Sequence, residues 1–244
     1  MTILIPQNTS VFQDSARPCL ETAVKSAEYY DNTVHVVDYK AYAEQEEFGK
    51  IFQHSGPNPS AFEQWCFEQW FLIRDWMREN GADTIFKSES DVLVFEDLEK
   101  FPRHGGLLCS FPVATSFVSR QGAEFICNEI MAAFRNSSAA ALCAPDHVAD
   151  FILVGAVLDG QGQPNFIDTL PAICPNICLP LGAHMYQDHR DVFFQRGRPF
   201  SFVRNTTVQF ATLHCWGRAK FSMPQIWGLS QSSLYTDLGV RLGY

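Results

Sequence analysis

Two carboxylates separated by one residue, Glu89 and Asp91, are the side chains in the sequence whose spacing most suggests chemistry. They follow a strand-like run at 84–86 and precede the apolar run 92–95. If the backbone is extended here, side chains at positions i and i+2 point to the same side, and both carboxylates can reach one divalent ion. The alternative is an exposed, serine-rich loop with two solvated acids. The spacing alone leaves both interpretations open.

A second group lies near the C-terminus, where His214, Gly217 and Lys220 are spaced as His-x-x-Gly-x-x-Lys. A neutral imidazole adds a metal ligand without adding charge. A glycine allows the backbone to approach a phosphate closely, and a lysine supplies positive charge. Such a triplet often occurs without function, so its weight depends on whether it belongs with the carboxylate pair.

The charge balance limits the class of ligand. The chain has 18 basic and 27 acidic residues, a formal net charge of -9. A protein with this excess of acid offers no broad basic face to follow a nucleic-acid backbone, so we expect no nucleic-acid partner. An anionic ligand would have to be held by a local cation, either a lysine or a metal ion.

The elements that position these residues begin with a β-α-β unit. Strand-like runs cover 2–6 and 33–38, and the segment 15–30 between them has apolar residues at helical spacing. Such a unit predicts parallel strands, and open parallel sheets bind ligands beyond the carboxyl ends of their strands. The residues at those ends are Pro6, Gln7 and Asp38.

The next predicted helix follows a polar stretch over 39–60 and precedes the carboxylate pair. Ser60 and Glu63 have capping-box spacing, and Asn80-Gly81 is a stop signal. The apolar face of this helix is wide, so we expect Trp70 and Trp76 to be core residues. Further along, the patterns predict strands at 107–109 and 113–118, helices over 122–135 and from about 146 to 158, and a hairpin around Gly197.

The size of the chain, 244 residues, favours one domain with one core. Eight cysteines are scattered without a CxxC pair, which indicates buried thiols; a zinc site at Cys174 and Cys178 is the weaker alternative. No apolar stretch is long enough to span a membrane, and the N-terminus lacks the features of a signal peptide. We therefore expect a cytoplasmic protein.

The two motifs carry a resemblance to a known family. The stretch 66–77, leading into 85–95, resembles the segment of GT-A-fold glycosyltransferases in which a helix precedes a strand that ends in Asp-x-Asp. The stretch 212–220 is similar to the His-x-x-Gly-x-x-Lys element of glycogenin-like and bacterial galactosyltransferase-like members, and 3–7 resembles the first strand of small bacterial members.

The resemblance implies an α/β fold of GT-A type, a Rossmann-like mixed sheet with helices on both faces. It implies a single catalytic domain over 1–244, with a nucleotide-sugar half at about 1–100 and an acceptor half at about 101–244. One departure concerns the metal motif, because the family has Asp where this chain has Glu89 and an apolar residue where it has Ser88.

The resemblance also implies roles for individual residues. The expected ligands of Mn²⁺ or Mg²⁺ are Glu89, Asp91 and His214. The expected donor-binding residues are Pro6, Gln7, Asp38, Arg74, Ser90, Gly217 and Lys220, with Gly217 and Lys220 at the diphosphate. Asp150 corresponds to an acidic position facing the acceptor and is the expected catalytic residue. Alternatives are an ion pair of Arg74 with Asp75 or Glu68, a solvated turn for Asp38, and a plain helix-face acid for Asp150.

The implied activity is that of a metal-dependent glycosyltransferase. Its partners would be a nucleoside-diphosphate sugar, with UDP expected as the nucleotide, and a glycan or other hydroxyl acceptor. The resemblance favours retention of anomeric configuration. The alternative is a catalytically impaired binding module or scaffold of the same fold. Sugar-phosphate nucleotidyl transfer is disfavoured, because the loop 6–10 after the first strand contains no glycine to cradle phosphate.

Overall fold

The structure is a computed structural model. It describes residues 1–11, 17–39, 43–101, 107–109, 115–143, 148–149, 153–154, 156, 182–184, 193–203, 206–215, 217–232 and 240–241. Among these residues, no helix is both long enough and apolar enough to cross a membrane.

The central element is a five-stranded mixed sheet. Its strands are β1 (Thr2–Gln7), β2 (Thr33–Asp38), β3 (Thr84–Ser88), β5 (Leu107–Cys109) and β6 (Thr115–Ser119), in the order β2-β1-β3-β6-β5. The first three run parallel, as the β-α-β pattern predicts, whereas β6 is antiparallel to both of its neighbours. The carboxyl ends of β1, β2 and β3 therefore meet at one edge of the sheet.

Helices cover both faces of this sheet. They are α1 (Arg17–Tyr29), α2 (Ala43–Ile51), α3 (Ser60–Glu79), α4 (Arg120–Arg135), α5 (Ala139–Leu142) and α6 (Met223–Gln231), with 3₁₀ turns at Leu98–Lys100 and Gly217–Ser222. On one face, Ile3 and Ile5 pack in the same core cluster as residues of α1. On the other, Leu4 and Ile85 pack with α3 and α4. Alternate residues of each strand thus enter different cores, which is the expected behaviour of a two-sided sheet.

Two smaller sheets complete the described part. One has the order β4-β11-β7 and is formed by β4 (Val92–Val94), β11 (Thr212–His214) and β7 (Gly182–His184). The other has the order β10-β9-β8-β12 and is formed by β8 (Phe193–Gln195), β9 (Arg198–Val203), β10 (Thr206–Gln209) and β12 (Val240–Arg241). The predicted hairpin is present, with positive φ at Arg196 (51°) and Gly197 (74°). A Cβ at Gly197 would lie 2.8 Å from the Ser230 carbonyl oxygen, so the turn requires glycine.

Three local predictions need correction. Helix α2 lies within the polar stretch 39–60, where the sequence pattern predicts no helix, and it forms because Phe48 inserts fully among aromatic residues of α3 and α4. Ser60 is not a cap: α3 begins at Ser60 itself after Pro59, and Asn58 Nδ2 donates to the Glu63 carboxylate at 2.6 Å.

Trp76 is only partly buried and packs against His35, whereas Trp70 is fully buried.

The cysteine prediction concerns side chains that are only partly described. Among the side chains that the structure describes, the free thiols are Cys19, Cys66, Cys127, Cys143 and Cys215, and Cys19, Cys127 and Cys215 are buried. Cys174 and Cys178 lie outside the described residues, as does most of the helix expected from about 146 to 158.

Candidate functional site

The two carboxylates of the first motif lie on a tight turn between β3 and β4. The backbone N–H of Val92 donates to the carbonyl oxygen of Glu89 at 3.3 Å, which closes the turn. The expectation of an extended backbone is therefore wrong. The chain must leave the central sheet here to enter the sheet of β4, and the turn rather than strand alternation brings the Glu89 and Asp91 carboxylates together.

The second motif reaches this turn through strand pairing. β11 runs antiparallel to β4, with His214 in register with Val92. The N–H of Cys215 donates to the carbonyl oxygen of Asp91 at 2.8 Å, which extends the pairing into the turn. Residues that lie in different halves of the chain are thereby placed side by side.

Three potential metal ligands meet at this point. The Nε2 atom of His214 lies 3.2 Å from Oδ1 of Asp91 and 3.7 Å from Oε2 of Glu89. One ligand atom from each residue can be chosen so that all three lie within 4.8 Å of one another. Two carboxylate oxygens and an imidazole nitrogen form a donor set that can hold a divalent cation, so the residues present fit a metal ion of this charge.

Burial and charge act in opposite directions on the pKa values of this pair. Burial raises the pKa of Asp91, but the hydrogen bond and charge of His214 and the charge of Lys220 outweigh it, and the net shift is downward. Burial lowers the pKa of His214, but the hydrogen bond and charge of Asp91 and the charge of Glu89 outweigh it, and the net shift is upward. The pair therefore favours an imidazolium and a carboxylate when no ion is bound.

Lys220, the last residue of the second motif, also reaches the carboxylates. Its Nζ lies 3.7 Å from Oδ2 of Asp91, and its side chain is about one-third exposed. Its carbonyl oxygen accepts a hydrogen bond from Sγ of Cys19 on α1, at 3.2 Å. The 3₁₀ segment that carries Lys220 begins at Gly217, directly after β11. The Lys220 ammonium group is therefore a cation close to the turn that carries Asp91, and its partial exposure leaves its side chain room to move.

Lys87 is a further charged residue at the site, and the motifs did not reveal it. Its Nζ lies 3.3 Å from Oε1 of Glu89 and 5.5 Å from the ring centre of Trp70, and its side chain is fully buried. The available signal was strand alternation, because Ile85 and Lys87 share a face of β3. Lysine is ordinarily solvent-exposed, so a lysine at this position does not by itself indicate a site.

The carboxyl ends of β1 and β2 lie next to each other, as expected. Pro6 and Gln7 are in register with Val37 and Asp38. The Asp38 carboxylate accepts from the backbone N–H of Thr9 at 3.3 Å and from its hydroxyl at 3.2 Å. Asp38 thus orders the loop after β1, and its predicted contact with a nucleotide stays a prediction.

Arg74 lies in a buried ion-pair network on α3. Its guanidinium forms a two-point contact with Asp75, at 2.8 and 2.9 Å, and a further contact with Glu44 of α2. It is 2% exposed. The ion pair with Asp75 is one of the alternatives that the sequence left open, and Glu44 replaces the suggested Glu68. A contact of Arg74 with a donor sugar stays a prediction.

The remaining candidates are less informative. Ser90 lies in the turn between the two carboxylates, and Asp150 lies outside the described residues, so its predicted role stays a prediction. His184 belongs to β7 and is in register with His214. Nε2 of His54 lies 2.9 Å from the carbonyl oxygen of Asn58, and His104 and His189 lie outside the described residues.

Comparison with known proteins gives a fold. No family model matches the chain, and no curated protein matches it. The solved structures that resemble it along nearly their whole lengths include two glycosyltransferases. One is the galactosyltransferase LgtC in complex with donor and acceptor sugar analogs, at 11% identity and a TM-score of 0.54, covering 95% of this chain and 97% of the other.

The second solved structure is a glycosyltransferase involved in the glycosylation of the major capsid of PBCV-1. It is 11% identical, with a TM-score of 0.50, and the match covers 92% of this chain and 98% of the other. Together with the mixed sheet and its flanking helices, this likeness identifies the fold as the GT-A fold of glycosyltransferases.

Proposed function

We propose that this GT-A-fold protein is a glycosyltransferase that moves a sugar from a nucleoside-diphosphate sugar, with UDP as the nucleotide, to a hydroxyl of a glycan or another acceptor. We further propose that the reaction needs Mn²⁺ or Mg²⁺ and proceeds with retention of anomeric configuration. The observation that carries the proposal is the convergence of Glu89, Asp91 and His214 within 4.8 Å at the end of β3.

The convergence supports the proposal because these ligand types meet at the edge of the sheet where ligands bind in open α/β folds. A divalent ion held there would stabilise negative charge as it develops on the leaving diphosphate. Glu89, Asp91 and His214 would hold the ion. His214 would bind it in its neutral form, so loading of the site releases a proton from the imidazole.

Lys220 and Gly217 fit the diphosphate end of the donor. The ammonium group of Lys220 pairs with Asp91 at 3.7 Å, yet its side chain is partly exposed and can turn toward a phosphate. The 3₁₀ segment that carries Lys220 begins at Gly217, and a glycine allows the backbone to approach a ligand closely. The loop held by Thr9 and Asp38 lies at the neighbouring strand ends and is proposed to contact the nucleoside.

Donor hydrolysis tests the proposal without knowledge of the acceptor. Purified protein is incubated with individual UDP-sugars and Mn²⁺, and release of UDP is measured. We expect release with at least one donor, its loss with a chelator, and its loss in Asp91→Asn. Asp83→Asn is the matched control, because Asp83 is 92% exposed at the opposite end of β3. Release from Asp91→Asn equal to that of the control would remove the carboxylate from the proposed role.

A scaffold that binds the nucleotide sugar without turnover is the second candidate. The observation that favours it is the ion pair of Glu89 with Lys87, because this pair already balances the charge of one of the two carboxylates expected to hold the ion. Thermal-shift measurements with UDP and Mn²⁺ separate the two candidates, because a scaffold is stabilised by the ligand but releases no UDP from any donor.

A further inference from the structure

Lys87 is fixed in its position at the carboxylate turn. Its side chain leaves β3 on the face that packs against α3, and no part of it is exposed. In the sheet, Lys87 lies between Leu4 of β1 and Ser116 of β6, both of which are buried. The ammonium group lies near the Trp70 ring and reaches Oε1 of Glu89. Lys87 therefore exposes no surface to solvent at the place where a second cation would approach Glu89.

Lys220 differs from Lys87 in this respect. Both lysines pair with one carboxylate of the turn, but the Lys220 side chain is 36% exposed. Lys220 can leave Asp91 and follow a ligand, whereas Lys87 must remain beside Glu89. Separating a buried charge from a partner costs free energy. A cation that binds Glu89 must therefore overcome the repulsion of the Lys87 ammonium group and weaken its ion pair with Glu89.

The formal charges at the turn sum to zero when His214 is neutral. Glu89 and Asp91 contribute two negative charges, and Lys87 and Lys220 contribute two positive charges. A divalent cation alone would leave the cluster with an excess of two positive charges. The diphosphate of a sugar nucleotide carries about two negative charges, which would restore neutrality.

We propose that Lys87 is a tethered counterion that competes with the divalent cation for Glu89. The cation binds tightly only together with the diphosphate of a nucleotide, a consequence that rests on the proposed function. The two carboxylate oxygens of Glu89 have different neighbours, since Oε1 pairs with Lys87 while Oε2 lies toward His214. Lys87 thereby links occupancy of the cation site to the arrival of the dianionic donor.

Titration calorimetry with MnCl₂ tests this role at one fixed pH. The full chain and its Lys87→Met variant are titrated with Mn²⁺ alone and with Mn²⁺ in the presence of UDP. We expect Lys87→Met to bind Mn²⁺ alone on the order of tenfold more tightly than the native chain, because a nearby positive charge is removed. The enhancement of Mn²⁺ affinity by UDP should shrink in the same variant.

Two control variants retain the charge or remove a distant one. Lys87→Arg keeps a buried cation beside Glu89, and Lys100→Met removes an exposed lysine that pairs with Asp97. Both should bind Mn²⁺ alone as the native chain does. Lys87→Gln, which removes the charge but keeps a hydrogen-bond donor, replaces Lys87→Met if that variant does not fold.

The outcomes separate this inference from the proposed function. Folded Lys87→Met or Lys87→Gln that binds Mn²⁺ no more tightly than the native chain overturns the competition, even if UDP binds normally. Tighter Mn²⁺ binding in these variants without any binding of UDP supports the role of Lys87 and contradicts the proposed donor.

Discussion

Nε2 of His214 lies 3.2 Å from Oδ1 of Asp91, although the two residues belong to different halves of the chain. The contact follows from the antiparallel pairing of β4 and β11, which places His214 opposite Val92, the residue after Asp91. The same pairing brings Glu89 within reach, so one strand register assembles the whole candidate metal site. Predictions about function can therefore be tested at single side chains.

His214 is expected to be a ligand rather than a support for the turn. His214→Ala should weaken Mn²⁺ binding in the presence of UDP about tenfold or more, because one ligand is lost. Isothermal titration of Mn²⁺ measures the effect, with His54→Ala as the control, since His54 contacts a loop carbonyl elsewhere. An affinity within error of the native value in a folded variant would contradict the three-ligand site.

The pKa shifts predict how the metal-free protein responds to pH. The raised pKa of His214 gives a stabilisation that is present below the unfolded value of about 6.5 and is lost as pH rises through the folded value. The lowered pKa of Asp91 gives a stabilisation that is present above about 3.9 and is lost as pH falls through the folded value.

In a chelating buffer, the difference in melting temperature between the native chain and His214→Ala should therefore decrease as pH rises above about 6.5. Mn²⁺ affinity should increase over the same range, because the ion binds the neutral imidazole. Melting curves at a series of pH values measure the first effect and titrations the second. A difference in melting temperature that does not change with pH would show that the His214 charge is not coupled to folding.

Lys220 is expected to bind phosphate directly. Lys220→Ala should weaken UDP binding about tenfold even in a chelator, because a charge-assisted contact is lost. Lys100→Ala is the control, since Lys100 is 69% exposed and pairs with Asp97. Fluorescence or calorimetric titration with UDP gives the affinities. Equal binding by both variants would show that Lys220 serves only to balance Asp91.

Arg74 is expected to be important for stability whether or not it contacts a sugar. Arg74→Ala removes the two-point partner of the buried Asp75, which retains its contact with the half-exposed Arg78 at 3.1 Å, and should cost about 3 kcal/mol of unfolding free energy. Arg135→Ala removes an exposed ion pair with Glu47 and should cost about 1 kcal/mol or less. Denaturant unfolding measures both. Similar small losses would contradict the structural role of the Arg74 network.

The two tryptophans of α3 should differ in their contribution to stability. Trp70 is fully buried in the core cluster that α3 forms with the sheet and α4, so Trp70→Ala should cost about 3–5 kcal/mol. Trp76 is partly buried against His35, so Trp76→Ala should cost about 1–2 kcal/mol. Urea unfolding curves compare the two variants. A greater loss of unfolding free energy in Trp76→Ala than in Trp70→Ala would mean that Trp76, and not Trp70, contributes more to the core.

The sequence determined the elements whose patterns are local. Strand β2 has its predicted bounds of 33–38, helix α3 covers the predicted run to Glu79, and the hairpin turns at Gly197. These features could be predicted because periodicity, stop signals and positive-φ glycine act over a few neighbouring residues. The residue types of the candidate metal site were also visible as two spaced motifs.

Only the tertiary structure decided how these pieces meet. The turn at Glu89 and the pairing of His214 with β4 depend on a register between distant strands, which no local pattern encodes. Helix α2 forms because Phe48 finds an aromatic core supplied by α3 and α4. Lys87 looks like a surface residue in the sequence, and it is buried because Glu89 and Trp70 offer its ammonium group a partner and a ring. Burial of a charge depends on which groups surround it in space, and those neighbours come from segments far apart in the chain.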